Sequence, residues 1–276
     1  MGWRDRGIEV KTSEQVAAMR KAGLVVGRTL EVLRAAVRPG VTTAELDAIG
    51  EDTIRTAGAV PSFLGYQGFP ASICASVNDE VVHGIPGDRE LREGDLISLD
   101  CGAIVGGWHG DAAITVPVGE VRAELLALVA DTEAALWAGI AAARPGGRVG
   151  DISAAVASRL RQAGGRYGIV EDYTGHGIGT AMHQPPDVPN VGRRGRGPRL
   201  VPGMALAVEP MVALGSHETE VLDDEWTVVT ADGSWAAHAE HTFALTDRGA
   251  WVLTALDGGE QALADLGAAF GGAPIV

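Results

Sequence analysis

With 276 residues, 46% of them hydrophobic, the chain can bury one large domain or two small ones. A formal net charge of −14 excludes broad, sequence-independent nucleic-acid binding, which needs a basic face. Two cysteines, Cys74 and Cys101, are too few for a disulfide framework or a thiolate zinc cluster. No apolar run is expected to cross a membrane, and the opening MGWRDRGIEVKTSEQ lacks a signal-peptide apolar region, so a cytoplasmic protein is expected.

The first predicted helix starts at Thr12-Ser13-Glu14-Gln15, which has capping-box spacing. Val16, Met19, Gly23, Val26, Leu30 and Leu33 follow at helical period, and Arg38-Pro39-Gly40 stops a helix over residues 16–37. That stop signal recurs. RPGVTTAELDAIGEDTIRTAGAV from Arg38 aligns without gaps on RPGGRVGDISAAVASRLRQAGGR from Arg144. Leu46 falls on Ile152, Arg55 on Arg161 and Ala57-Gly58 on Ala163-Gly164. Each copy reads as a Pro-Gly turn, a helix and a glycine end, and each follows another helix, the second over about residues 122–143.

The repeat continues more loosely. HGIP at His83 precedes LREGDLISLD, and HGIG at His176 precedes LVPGMALAVE, so that Leu91, Gly94 and Asp100 match Leu200, Gly203 and Glu209. Two repeats in one order predict an α+β fold of two similar halves facing each other across a pseudo-twofold axis. Paired helices and hairpin-linked strands predict a largely antiparallel sheet with helices on one side. One unit spanning 1–276 is expected, duplicated over roughly 12–118 and 119–253, with 254–276 as a C-terminal tail.

Four apolar strands carry carboxylates. Asp100 is expected to end Leu96-Ile97-Ser98-Leu99, and Glu209 to end Ala205-Leu206-Ala207-Val208. Asp111, Ala113 and Thr115 alternate on one face of a third strand, and Glu240 opens a fourth. Burying a carboxylate costs several kcal/mol unless it is paired or binds a metal. Taken singly, each reads first as a strand end in water; the pseudo-symmetry brings Asp100 and Glu209 together near the axis. Four converging carboxylates need a metal or a basic partner. The nearby sequence offers histidines rather than Lys or Arg. Oxygen ligands plus an imidazole suit a pair of divalent ions, Mn, Co, Fe or Zn, held about 3.5–4 Å apart for metal-assisted hydrolysis.

Two further stretches stand out. YTGHGIGTAMHQPP sets His176 and His183 among glycines expected to turn sharply and to let the backbone approach a crowded metal centre. GRRGRGPR gathers Arg193, Arg194, Arg196 and Arg199 into one loop, either simply solvated or a contact to ribosomal RNA or another anionic surface.

The motifs ICASVNDEVVHGIP, GDLISLDCGA, WHGDAAIT, GHGIG, AVEPM, DEWTVVT and AEHT, in this order, closely resemble the type I bacterial methionine aminopeptidases, which have the pita-bread fold. The resemblance runs from about Thr12 to Leu253. It implies a curved, largely antiparallel sheet with helices on its outer face, and removal of N-terminal methionine ahead of a small second residue. It implies that Asp100 chelates one metal, that Asp111 and Glu240 bridge two, and that His176 and Glu209 complete the second, with Glu209 also taking a proton from the attacking water. His183 would bond the scissile carbonyl or adjacent amide, and His83 would assist near the leaving nitrogen. Phe63, Tyr66, Phe69 and Cys74, with Trp226 from a later strand, would form the methionine slot. N-terminal-Met peptides and nascent chains are the implied substrates, and a monomer is expected. Two alternatives stay open: an X-Pro aminopeptidase or prolidase on the same scaffold, and a non-catalytic ribosome-associated protein of this fold.

Overall fold

In the computed structural model, which describes residues 7–163 and 167–272, five helices and a large antiparallel sheet build the chain. Helix α1 (Ser13–Ala36) begins at Thr12 with the expected capping box, the Thr12 hydroxyl accepting from the Gln15 amide and the Gln15 side chain from the Thr12 amide. Helix α2 (Thr43–Thr56) has the same box built from Thr42 and Glu45. Helices α3 (Ala123–Ala142) and α4 (Val149–Gln162) follow in the second half. α2 and α4 are both 14 residues long, and their first and last residues fall on aligned positions of the repeat. The aligned glycine Gly164 lies outside the described residues.

Among the described residues, the main sheet has nine strands. Its path runs Val60–Pro61, Leu96–Val105, Trp108–Pro117, Glu240–Leu245, Ala205–Val208, Gly175–Gly177, Gln184–Val188, and Ile73–Val77 and Ala250–Val252 pair beside it. Every pairing in it is antiparallel. Alternation sorts its residues. Ile97, Leu99, Cys101 and Ala112 join Val26, Leu30, Leu33 and Leu46 in one core under α1 and α2. Leu206, Val208, Phe243 and Leu245 join Leu128, Leu136, Ile152 and Val156 in a second core under α3 and α4. The opposite face is left for polar chemistry.

Two expectations change here. Strand Leu96–Val105 does not end at Asp100 but runs five residues beyond it, because its hairpin with Trp108–Pro117 stays in register from Leu96↔Pro117 to Val105↔Trp108. Helix α3 is long and apolar enough, by length and composition, to cross a membrane, against the sequence expectation. It instead buries Leu125, Leu128, Ala135, Leu136 and Ile140 in the second core, and its Asp131 meets Arg159 at 3.1 Å and the Tyr167 hydroxyl at 2.8 Å. Beyond the main sheet, α5 (Glu260–Asp265) buries Leu263 in the same core, and the Gly271 amide bonds the Ala250 carbonyl, so residues 260–271 pack on the body.

Candidate active site

Sheet register gathers the carboxylates. Asp100 and Glu240 both pair with Ala113, one from each side of the central strand Trp108–Pro117. Asp111 lies two residues before Ala113, so all three side chains leave the same face. Glu209 directly follows Val208, which pairs with His241, and so arrives beside Glu240. His176 is the middle residue of Gly175–Gly177, whose Gly177 pairs with Leu206. Thr242 fixes Asp111 from the neighbouring strand: its hydroxyl donates to the Asp111 carbonyl at 2.8 Å and accepts from the Asp111 amide at 3.2 Å. The Asn190 side-chain amide holds the Glu209 carbonyl at 3.2 Å.

His176 Nε2 sits 3.5 Å from Glu209 Oε1 and 4.0 Å from Asp111 Oδ2. Ligand atoms of Asp111, His176 and Glu240 all lie within 4.8 Å of one another. His176 Nδ1 faces its neighbour Gly177 O at 3.0 Å; donating there leaves Nε2 as the free base aimed at the carboxylates. Asp100 Oδ1, Asp111 Oδ1 and Glu240 Oε1 are buried with no hydrogen-bond partner among the described residues. Nor does any described Lys or Arg line the cavity. A donor set of four carboxylates and one imidazole, three of its oxygens orphaned, fits divalent cations and leaves the charge otherwise unbalanced.

Protonation follows the same logic. Burial pushes the Asp100 carboxyl up to about 7. Burial, then the charges of Glu240 and Asp100, pushes Asp111 well up. Glu209 and Glu240 rise for the same reasons, burial first and neighbouring carboxylates second. Burial, then the His183 charge, draws His176 down to about 3 and His83 to about 4. These two imidazoles are therefore neutral at physiological pH, the state in which an imidazole can bind a metal.

A cavity of about 220 Å³ opens over this cluster. Its apolar wall combines Phe63, Phe69, Cys74 and Met182 with Tyr66 and Trp226. Phe69 meets Trp226 edge-on at 5.1 Å between ring centres, and His83 meets Trp226 at 6.2 Å and Tyr173 at 5.7 Å. His83 has φ of 60°, a left-handed conformation uncommon outside glycine and concentrated at functional sites. His183 lies 4.2 Å from the His176 ring centre, with Nδ1 2.8 Å from the Tyr66 hydroxyl.

All five expected ligands, both further histidines and all five slot residues thus line one cavity. Trp226 is not on a strand. It sits in the turn between Thr219–Val221 and Val228–Thr230, where Asp224 accepts from the Trp226 and Thr227 amides at 2.9 and 2.7 Å. Gln67, Val82, Tyr173, Thr174, Met182 and Met211 also line the cavity, beyond the residues expected there. Tyr173, Thr174 and Met182 lie inside the glycine-rich stretch, where their adjacency to His176 and His183 is the available signal. Gly175 and Gly177 lie within the strand and not at a turn, while Gly179 opens the bend that follows it. A Cβ at Gly175 would lie 2.3 Å from Ala207 O and one at Gly177 2.2 Å from Pro185 O, so these two glycines permit close strand packing.

A buried carboxylate–imidazole cluster under an apolar slot is the constellation of a metal-dependent hydrolase. Residues 17–247 match metallopeptidase family M24, and the chain belongs to that family. Within it the chain stands with the methionine aminopeptidases, metallo-exopeptidases of the pita-bread fold. It is 51% identical to the methionine aminopeptidase of Clostridium acetobutylicum over 248 residues, 90% of this chain and 98% of that one. It is 53% identical to methionine aminopeptidase 1 of Mycobacterium tuberculosis over 254 residues, 90% and 96% of the two chains. The crystal structure of methionine aminopeptidase from Rickettsia prowazekii superposes with a TM-score of 0.87 at 40% identity, covering 90% of this chain and 99% of that one. Prolidase from Pyrococcus furiosus shares the fold alone, at 20% identity and a TM-score of 0.71.

Proposed function

We propose that this chain removes the N-terminal methionine from peptides and nascent proteins, with a small residue in second place, through two divalent ions (Co, Mn, Fe or Zn). The observation that carries this reading is the buried set Asp100, Asp111, His176, Glu209 and Glu240 at the floor of a slot walled by Phe63, Tyr66, Phe69, Cys74 and Trp226. In it, Asp100 would serve one ion, His176 and Glu209 the other, and Asp111 and Glu240 would be shared between them. When bound, the ions supply an ionised water and polarise the scissile carbonyl. Glu209 would take the proton released by the attacking water. The Tyr66 hydroxyl, donating to His183 Nδ1, leaves Nε2–H to bond the carbonyl oxygen as charge builds there. His83 stands near the leaving amide nitrogen. Phe69, Trp226 and Cys74 pack on the substrate thioether.

An X-Pro aminopeptidase on this fold is the second reading, since prolidases share the architecture. The chelated enzyme, reloaded in turn with Mn, Co, Fe and Zn, is expected to cleave Met-Ala-Ser and to leave Ala-Pro-Ala intact. Cleavage of only the second peptide overturns the first reading, and cleavage of neither favours a non-catalytic protein.

The same reading makes the chain one catalytic unit of duplicated halves, roughly 12–118 and 119–253 with 254–276 as its tail, acting as a monomer in the cytoplasm, where nascent chains emerge. The equal lengths and aligned ends of α2 and α4 support the duplication. Arg193, Arg194, Arg196 and Arg199 are exposed. Their loop also supports the fold, because the Arg196 and Pro198 carbonyls accept the Gly150 and Val149 amides at the start of α4. With side chains free and backbone fixed, the loop suits an anionic surface such as ribosomal RNA. Changing the four arginines to Gln is expected to weaken co-sedimentation with ribosomes several-fold at low salt while sparing tripeptide hydrolysis. Unchanged co-sedimentation leaves the loop its structural role alone.

A further inference from the structure

Lys11 is 5% exposed, and a lysine is rarely buried without a specific partner. Its Nζ donates to the Ile178 carbonyl at 2.6 Å and to the Glu9 carbonyl at 3.1 Å, with Glu9 Oε2 3.5 Å away. Glu9 in turn accepts from the Thr180 amide and hydroxyl, both at 3.2 Å, and from the Gln184 side-chain amide at 2.8 Å. Ile178, Thr180 and Gln184 bracket the turn that leaves the strand of His176 and delivers His183. The Lys11 amide bonds Gly203 O at 2.8 Å, which ties the N-terminal segment to the body. Gly179 makes room for this arrangement: a Cβ there would lie 2.3 Å from Glu9 Oε2 and 2.6 Å from Lys11 Cε. Neither Glu9 nor Lys11 lines the active-site cavity.

We infer that Glu9 and Lys11 form an N-terminal strap that holds the 178–184 turn and thereby fixes His183 over the metal cluster. They are positioning residues, and the inference rests on the role given to His183 above. Ile178 and Met182 anchor the turn in two apolar clusters, but Thr180, Ala181 and His183 are exposed and carry no such packing. The strap substitutes one buried cation and one multiply bonded carboxylate for that packing, at opposite ends of the turn. A displacement of about 1 Å at such a group is enough to cost a large part of its contribution to turnover.

The test is a double-mutant cycle with an independent structural readout. Glu9→Ala and Lys11→Met are made in the wild-type chain and in His183→Ala, and kcat and KM are measured on Met-Ala-Ser. In the wild-type background each is expected to lower kcat about tenfold with KM within about twofold; in His183→Ala each is expected to change kcat little. Glu9→Gln, which keeps an oxygen acceptor, restores part of kcat. In selectively labelled protein, Glu9→Ala is expected to shift and broaden the imidazole carbon signal of His183 while leaving that of His83 in place. That signal needs no turnover, so it reports on the strap even if the peptide is not a substrate, whereas wild-type inactivity on Met-Ala-Ser counts against the functional reading alone. An unmoved His183 signal, or a fall in kcat that is absent or equal in both backgrounds, overturns the inference.

Discussion

Asp111→Asn and Glu240→Gln are each expected to leave a folded protein whose turnover of Met-Ala-Ser falls at least ~100-fold. Each change keeps the shape of the side chain and one oxygen but removes the charge and the bridging capacity. Asp111 Oδ1 and Glu240 Oε1 are both buried without a partner among the described residues, so neither oxygen has a structural bond to lose. Both groups also stand among like charges: Glu240 and Asp100 press on Asp111, and Glu209 and Asp100 press on Glu240. Removing one charge relieves that repulsion. The metal-free variants are therefore expected to melt no lower than the metal-free parent. A structural role for these carboxylates predicts the opposite pattern, a lower melting temperature with turnover kept. Steady-state kinetics with added metal and thermal melts in chelator distinguish the two, and near-normal turnover in either variant refutes the dinuclear assignment.

The second large effect is in pH. Burial raises Asp100 from an ordinary carboxylate value to about 7, and it raises Asp111, Glu209 and Glu240 as well. In the metal-free protein these four carboxyls bind more protons folded than unfolded, whereas the buried His83, His176, His238 and His241, drawn down by burial, bind fewer below about pH 6.5. The stability contributed by protonated Asp100 is fully present below the unfolded value near 4 and is lost as pH rises through about 7. Cations and protons compete for the same oxygens, so metal affinity rises with pH over the same range. Above about pH 7, where histidine is neutral in the folded and unfolded chain alike, chelated protein is expected to lose melting temperature as pH rises. Divalent metal is expected to restore on the order of 10 °C at about pH 7.5 and little at about pH 5. A chelated protein that grows more stable as pH rises above about 7 would show that the cluster is not buried as an unneutralised set.

Helices α1 to α4, the repeat and the four carboxylates and one imidazole that meet in the cavity were legible in the sequence. Each rests on a pattern that fits within a short window: a Thr at the cap and Gln or Glu three residues on, apolar residues at helical period, Pro-Gly stops that recur, a carboxylate against an apolar run. The resemblance of seven ordered motifs added the roles. What lies between windows was decided by tertiary structure. Asp100 reads locally as the end of a strand, because four apolar residues precede it. Only the ten-residue register with Trp108–Pro117 shows the strand continuing, with Asp100 turned to the polar face. Trp226 reads as a strand residue from its β-prone neighbours, yet Asp224 captures two amides and makes a turn of it. Glu9 and Lys11 carry no local signal of this role, since the turn they hold lies more than 160 residues away in sequence. The glycines around His176 were visible, but what they do depends on which backbone passes beside them. Sequence by itself determined which chemical groups this protein owns and the elements that bear them. Which of those groups meet was set by strand register, where a shift of one residue would turn Asp100, Asp111 and Glu240 into the helix-covered core.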